Sequence, residues 1–248
     1  MSLADFQRAL ADMVAAPDLA LAVRNGAAGA LDGYDLSARE RSRLETVAAQ
    51  PGMDVSCTLY RSNRLVPIAL LLPYTCFVLG ERIRDVAVAF WSTSTTDLQF
   101  AAEVDRFAAF LRERLRSGEL DEPLLEELLD YELAAKELRF LPRRRLVEES
   151  ANGEGALVLH PLVRLVRFRH DPAALLARLA ANEPLPYDLD EGDFPVLLVA
   201  RGDELEARVL DPALAALLEA LRDGEATIAP EDAELLVREG LAVRRAVT

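Results

Sequence analysis

The feature that most constrains this chain is a change of hydrophobic period near residue 142. Before it, apolar residues recur at helical spacing. After it, short Val- and Leu-rich runs alternate and are separated by turn residues. Both patterns in one chain predict an α+β protein, an N-terminal α-helical bundle followed by a domain with a small antiparallel sheet. The polar, turn-rich stretch LPRRRLVEESANGEGA at 141–156 marks the boundary, so the expected division is a bundle over 1–142, a linker over 143–156 and a second domain over 157–248. The 248 residues leave room for two ordinary domains, and 51% hydrophobic content suffices for a core in each.

In the first part, Ser2 with Asp5 and Ser37 with Glu40 are S-x-x-D/E helix starts. The second predicts a helix from Ser37 to Gln50, closed by Pro51-Gly52. An apolar segment from Met53 to Gly80 follows, with Leu65 to Leu79 read as a buried core helix. That run is too short to span a membrane and contains Pro67 and Pro73. A helix over Arg82 to Trp91 comes next. Phe100, Val104, Phe107, Leu111 and Leu115 then define one face of a helix from Asp97 to Ser117, and Asp121 and Pro123 open another to about Phe140.

In the second part, LVLHPLVRLVRF at 157–168 reads as a strand, and Asp171-Pro172 starts a short helix. Phe194–Ala200 and Leu205–Leu210 flank Arg201-Gly202-Asp203-Glu204, which predicts a hairpin. Helices over Pro212–Arg222 and Pro230–Glu239 follow, and LAVRRAV is a candidate closing strand. Hairpin, two short helices and a last strand suggest a winged-helix-like domain.

Charge limits the function. There are 28 Lys+Arg against 42 Asp+Glu, a net −14, which disfavours nucleic acid and anionic membranes. The helix at 230–239 would be the recognition helix of a winged DNA reader, yet it holds Glu231, Asp232, Glu234 and Glu239 against Arg238 alone. No basic-then-apolar leader opens the chain, so a cytoplasmic location is expected. With only Cys57 and Cys76, neither a disulfide framework nor a zinc knuckle is available.

Catalytic chemistry finds little to stand on. His160 and His170 are the only imidazoles, and their spacing gives no metal-ligating face. No phosphate-binding glycine loop and no nucleophile elbow occurs, and the DLDEGD loop departs from a calcium loop at Gly192 and Asp193. Cys57 reads as a buried, inert thiol. No catalytic residue, metal site or cofactor is therefore assigned to this chain. Two polar clusters stand out. One is Tyr60-Arg61-Ser62-Asn63-Arg64, inside an otherwise apolar helix. The other is Arg139 with Arg143-Arg144-Arg145. Tyr and Arg are common interface anchors, so the first cluster is a candidate partner surface as well as a candidate internal cap.

The runs DFQRAL, Leu59-Tyr60-Arg61-Ser62-Asn63-Arg64, Leu79-Gly80, Phe107-Ala108-Ala109-Phe110-Leu111, Tyr131-Glu132 and His160-Pro161-Leu162-Val163-Arg164-Leu165 carry a resemblance over most of the chain. It resembles the accessory partner proteins (MbnC/TglI-like) of multinuclear non-haem iron-dependent oxidative enzymes. The resemblance implies a non-catalytic subunit in a heterodimer with a TIM-barrel iron enzyme that modifies cysteine in a ribosomally made precursor peptide. It also implies that the winged domain binds the leader, and that the iron belongs to the partner. A leader adding as a strand to the hairpin edge is expected to lie between strand 205–210 and helix 230–239, over Val209, Leu235, Leu236 and Val199. Tyr60, Arg61, Asn63 and Arg64 are the expected enzyme-facing residues. A winged-helix transcription regulator, a protein-interaction scaffold and an enzyme with an unrecognised site near Cys57 and Arg61 are the other open readings.

Overall fold

The computed structural model describes residues 3–93, 99–141, 155–185, 189–202, 204–224 and 228–245. The chain divides into two compact units, Met1–Arg114 and Leu115–Thr248. It is a mixed helix-and-sheet protein, as the change of period requires.

The described elements of the first unit are helices: α1 (Leu3–Ala15), α2 (Pro17–Arg24), α3 (Ala38–Ala48), α4 (Pro51–Leu71), α5 (Pro73–Leu79), α6 (Ile83–Thr93) and α7 (Phe100–Ser117), whose end runs into the second unit. Ser2 and the residues 94–98 lie outside the described residues. The Ser37 box forms as expected: the Ser37 side chain accepts from the Glu40 amide, and the Glu40 carboxylate accepts from the Ser37 amide at 2.8 Å. The Ser37 hydroxyl, at 2.7 Å from the same carboxylate oxygen, and then the amide hold the Glu40 carboxyl below the usual carboxylate range. Pro51 does not close α3. It opens α4 at the first helical position, where its missing N–H costs nothing.

The segment expected to run unbroken to Gly80 is two helices, and the chain turns by 106° between them. Pro73 is the cause, because its ring pushes the preceding residue out of the helical region. Leu72 accordingly sits at φ −126°, ψ 50° and is fully buried at the bend. Leu65–Leu79 is therefore a corner rather than one core helix. Among the described residues, no single helix is long and apolar enough to cross a membrane.

One core gathers Ala9, Met13, Val23, Leu44, Met53 and Cys57 from α1 to α4. A second contact set is aromatic, with Phe90 edge-on to Phe107 at 5.3 Å and Phe110 at 5.5 Å from Phe90. On α7 the expected face holds at Val104, Phe107 and Leu111, whereas Phe100 is exposed at the helix start.

The second unit contains α8 (Leu125–Phe140), β1 (Ala156–Leu159), β2 (Val163–His170), α9 (Pro172–Ala180), β3 (Glu191–Arg201), β4 (Glu204–Val209), α10 (Pro212–Asp223), α11 (Pro230–Arg238) and β5 (Ala242–Arg245). The compact units divide ahead of the composition boundary because α8 packs on β2 and β3. The expected linker lies almost wholly in residues 142–154, outside the described ones.

The run 157–168 is not one strand. His160-Pro161 breaks it, and its halves join different sheets: β1 pairs with β5, and β2 with β3 in the antiparallel order β2-β3-β4. Asp171 and Asp211 each cap the helix that follows, accepting from the amides of Ala173 and Ala213 at 2.9 and 2.8 Å.

Pairing fixes the two faces of the three-stranded sheet. Val163, Leu165, Leu197 and Val199 share one face and join the core with Leu218, Leu236 and Leu241. Val166, Phe168, Val196 and Leu198 share the other, where Tyr131 of α8 meets Phe168 edge-on at 5.8 Å. With helices on both faces, β3 is buried from Pro195 to Val199, which explains its unalternating apolar run.

Ser37→Ala removes the cap of α3 and is expected to lower stability by about 1 kcal/mol, readable as an earlier urea midpoint with unchanged slope.

Candidate functional site

In the sheet of the second unit, the two outer strands differ in what their edges offer. Antiparallel pairing alternates which residues bond to the neighbour. On β2, Ala200 of β3 donates to Leu162, so the odd-numbered β2 amides point away from β3. Two of these are already engaged. The Val163 amide donates to His160 C=O at 2.9 Å, and the Arg169 amide donates to Glu127 Oε2 at 2.6 Å. Glu127, on α8 and buried, also takes the His170 amide at 3.3 Å and faces His170 Nδ1 at 2.8 Å. This carboxylate pins the irregular end of β2, where the register shifts between Phe168 and His170.

The β4 edge is different. Leu210 donates to Pro195 C=O at 2.8 Å, so the alternation turns Glu206 and Arg208 inward and Leu205, Ala207 and Val209 outward. Among the described residues these three outward amides have no partner. β4 is also exposed along its length apart from the half-buried Leu205. Pro195 faces β4 where that strand ends, so its missing N–H leaves the ladder intact.

The four residues expected to floor one groove are not brought together. Val199 and Leu236 lie in the core with Leu197 and Leu218. Val209 pairs with Val196 and so sits on the opposite face of the sheet, 48% exposed. Leu235 is exposed on α11. The alternation of β3 and β4 makes the difference, since Val199 and Val196 lie on opposite faces. Glu127, Leu205 and Ala207 were missed. The sequence held a signal for the last two in the hairpin, and none for Glu127.

A cavity of about 440 Å³ in this unit is lined by Glu126, Glu127, Asp130, Arg167, Arg169 and Asp193, among others. Its charges are spoken for within the chain. Arg167 grips Glu219 with two bonds of 2.9 and 2.8 Å and also holds Asp193. Among the described residues no cluster of three His, Cys, Asp or Glu is placed to hold a metal ion.

In the first unit, the Tyr60–Arg64 cluster splits. Asn63 and Ser62 are exposed, and Tyr60 and Arg61 are half-buried. Arg64 is 1% exposed, so it is internal and not a surface anchor. Its Nε donates to Glu103 Oε1 at 2.5 Å, and its guanidinium lies 5.0 Å from the Phe90 ring centre and 5.8 Å from that of Tyr60. Glu103 is buried too and also accepts from Arg106 at 3.1 Å. Helical geometry carries Arg64 inward, because Cys57, Arg64, Ile68 and Leu71 recur along the buried face of α4. Arg61 stacks on Trp91 at 5.4 Å.

Cys57 is buried and donates to Met13 C=O at 3.5 Å, and burial pushes its thiol up. His160 is half-buried in the turn between β1 and β2, and its Nδ1 accepts from the Leu162 amide at 3.0 Å. Burial lowers its pKa, consistent with an acceptor nitrogen that carries no proton. No protein-family model matches the chain, and no curated protein matches it.

Two expectations follow. Glu103→Ala strands a buried guanidinium and should cost about 3–5 kcal/mol, whereas Arg64→Met with Glu103→Leu should recover most of that in urea unfolding. His160 is neutral in the fold but charges in the unfolded chain, so stability falls as pH drops below about 6.5. His160→Asn, which keeps an acceptor for Leu162, should flatten the fall in Tm between pH 7 and 5.

Proposed function

We propose that this chain is a non-catalytic subunit that binds the leader of a ribosomally synthesised precursor peptide. It presents the core cysteine of that peptide to a multinuclear iron oxidative enzyme of TIM-barrel form in a heterodimer. The single observation that carries the reading is the open β4 edge, with three outward amides in a sheet whose other edge is partly closed by Glu127 and His160. An extended peptide gains affinity there from main-chain hydrogen bonds and selectivity from flanking side chains, with Leu205 and Val209 on one face and Glu206 and Arg208 on the other. Tethering the leader raises the effective concentration of the cysteine at the iron without new contacts to it.

The hairpin, α10 and α11 form the winged-helix-like part of this proposal, and Val199 and Leu236 support it from the core. On the helical unit, Tyr60, Arg61 and Asn63 are the proposed enzyme-facing residues, while Arg64 braces them from inside. Iron and its ligands belong to the enzyme. The location proposed is the cytoplasm, where thiols and precursor meet in reduced form. The acidic α11 counts against a transcription regulator, since phosphate contacts need Lys or Arg.

Co-expression of the chain with the genes beside its own, followed by affinity purification, tests the assembly. A coloured, iron-containing complex with a TIM-barrel protein is expected, and a colourless chain eluting alone contradicts it. Within that complex, Ala207→Pro removes one outward amide and should weaken precursor capture at least tenfold while the fold persists. Glu206→Pro instead removes an inward amide and should lower stability. Capture unchanged by Ala207→Pro would rule out strand addition at β4.

A further inference from the structure

The buried face of α4 is matched by an apolar stripe directly opposite it. Val55, Leu59, Val66 and Leu70 are 57%, 57%, 47% and 60% exposed. At 100° per residue these four fall within about 60° of one another, a strip ~22 Å long. Ser62 and Asn63 occupy its middle, and Thr58 and Ala69 flank it, so no Asp, Glu, Lys or Arg lies on it. Pro67 lies on the buried side of the helix. Single exposed apolar residues are ordinary, but four on one helix face, around an uncharged Ser62-Asn63 centre, mark an interaction surface.

We propose that this strip pairs with the same strip of a second copy of the chain, the two α4 helices running antiparallel about a two-fold axis between Ser62 and Asn63. The spacing is symmetric about that point. Val55 and Leu70 are equidistant from it, as are Leu59 and Val66. An antiparallel pair therefore sets Val55 against Leu70 and Leu59 against Val66, and then repeats both contacts. Such self-complementarity is what an isologous interface requires. The Val55, Leu59, Ser62, Val66 steps of four, three and four are those of helices packed side by side, with a small serine at the centre.

Each copy carries −14, so two copies repel, and the repulsion is least where uncharged faces meet. The α4 strip is such a face, and a charged partner would find no ion pair on it. One helix pair buries an area at the small end of interface sizes, so the association is weak and concentration-dependent. Of the proposed enzyme-facing residues Asn63 alone lies on this face, so a copy so paired has part of that surface covered. The dimer is therefore the form expected when the enzyme is absent. Its existence does not depend on the leader or enzyme reading.

Sedimentation velocity of the full chain alone, from about 5 to about 500 µM, tests this directly, micromolar association being the range such an interface supports. A shift from monomer to dimer mass is expected. It should strengthen between about 0.05 and about 0.5 M salt, as screening removes the repulsion. Leu59→Glu, on an exposed position, should abolish the shift with the circular dichroism spectrum unchanged. Ser62→Cys should give a disulfide-linked dimer on mild oxidation, and Val55→Cys should not, its two copies lying ~22 Å apart along the antiparallel pair. A monomer at every concentration overturns the proposal. So does a dimer indifferent to Leu59→Glu, or a chain that cross-links equally through position 55. A monomer that still co-purifies with an iron enzyme would overturn the dimer alone, whereas a dimer that recovers no enzyme would overturn only the heterodimer.

Discussion

The second unit depends on burying β3 from both sides. Val196 and Leu198 face α8, while Leu197 and Val199 face the core shared with α10 and α11. Fully burying each aliphatic side chain contributes about 1.5–3 kcal/mol, so this strand anchors the unit. Paired on either side of it, β2 and β4 are the outer strands of a three-stranded sheet. An outer strand presents unpaired backbone groups, which a protein either covers or uses.

The chain treats its two edges unequally. On β2, a turn carbonyl from His160 and the buried carboxylate of Glu127 take the outward amides of Val163 and Arg169. A carboxylate that accepts two backbone N–H bonds and faces His170 is well compensated for its loss of water. β4 has no such cover among the described residues. In the proposed assembly the helical unit carries the enzyme-facing surface, and the second unit holds the leader along β4.

Local signals in the sequence placed much of this fold. The Ser37–Glu40 box, the Asp171-Pro172 start, the helix expected over Pro212–Arg222, the Gly202 hairpin and the β5 strand all form where residue chemistry predicted them. Failures came where one local rule overrode another. Pro73 broke an apolar run that periodicity alone joined, and His160-Pro161 split what composition read as one strand. Both prolines were visible, but their consequence depended on tertiary burial of Leu72 and on which partner strand each half met. The site was less legible. Arg64 sits among polar neighbours in sequence, yet α4 turns it onto the buried face, where Glu103, 39 residues away, neutralises it. Val199 and Val209 are both apolar residues of the hairpin, but register sends them to opposite faces. Pairing register and long-range ion pairs are set by the whole fold, so no short window contains them.

In the proposed assembly an extended peptide lies along β4. Amide hydrogen exchange, read residue by residue by NMR, measures this directly. The probe is a synthetic peptide copied from a candidate precursor sought among the small reading frames beside the gene for this chain. Slowed exchange is expected at the outward amides of Leu205, Ala207 and Val209, with Glu206 and Arg208, already bonded to β3, little changed. Protection confined to α11, or no protection in the second unit at a saturating peptide concentration, would contradict it.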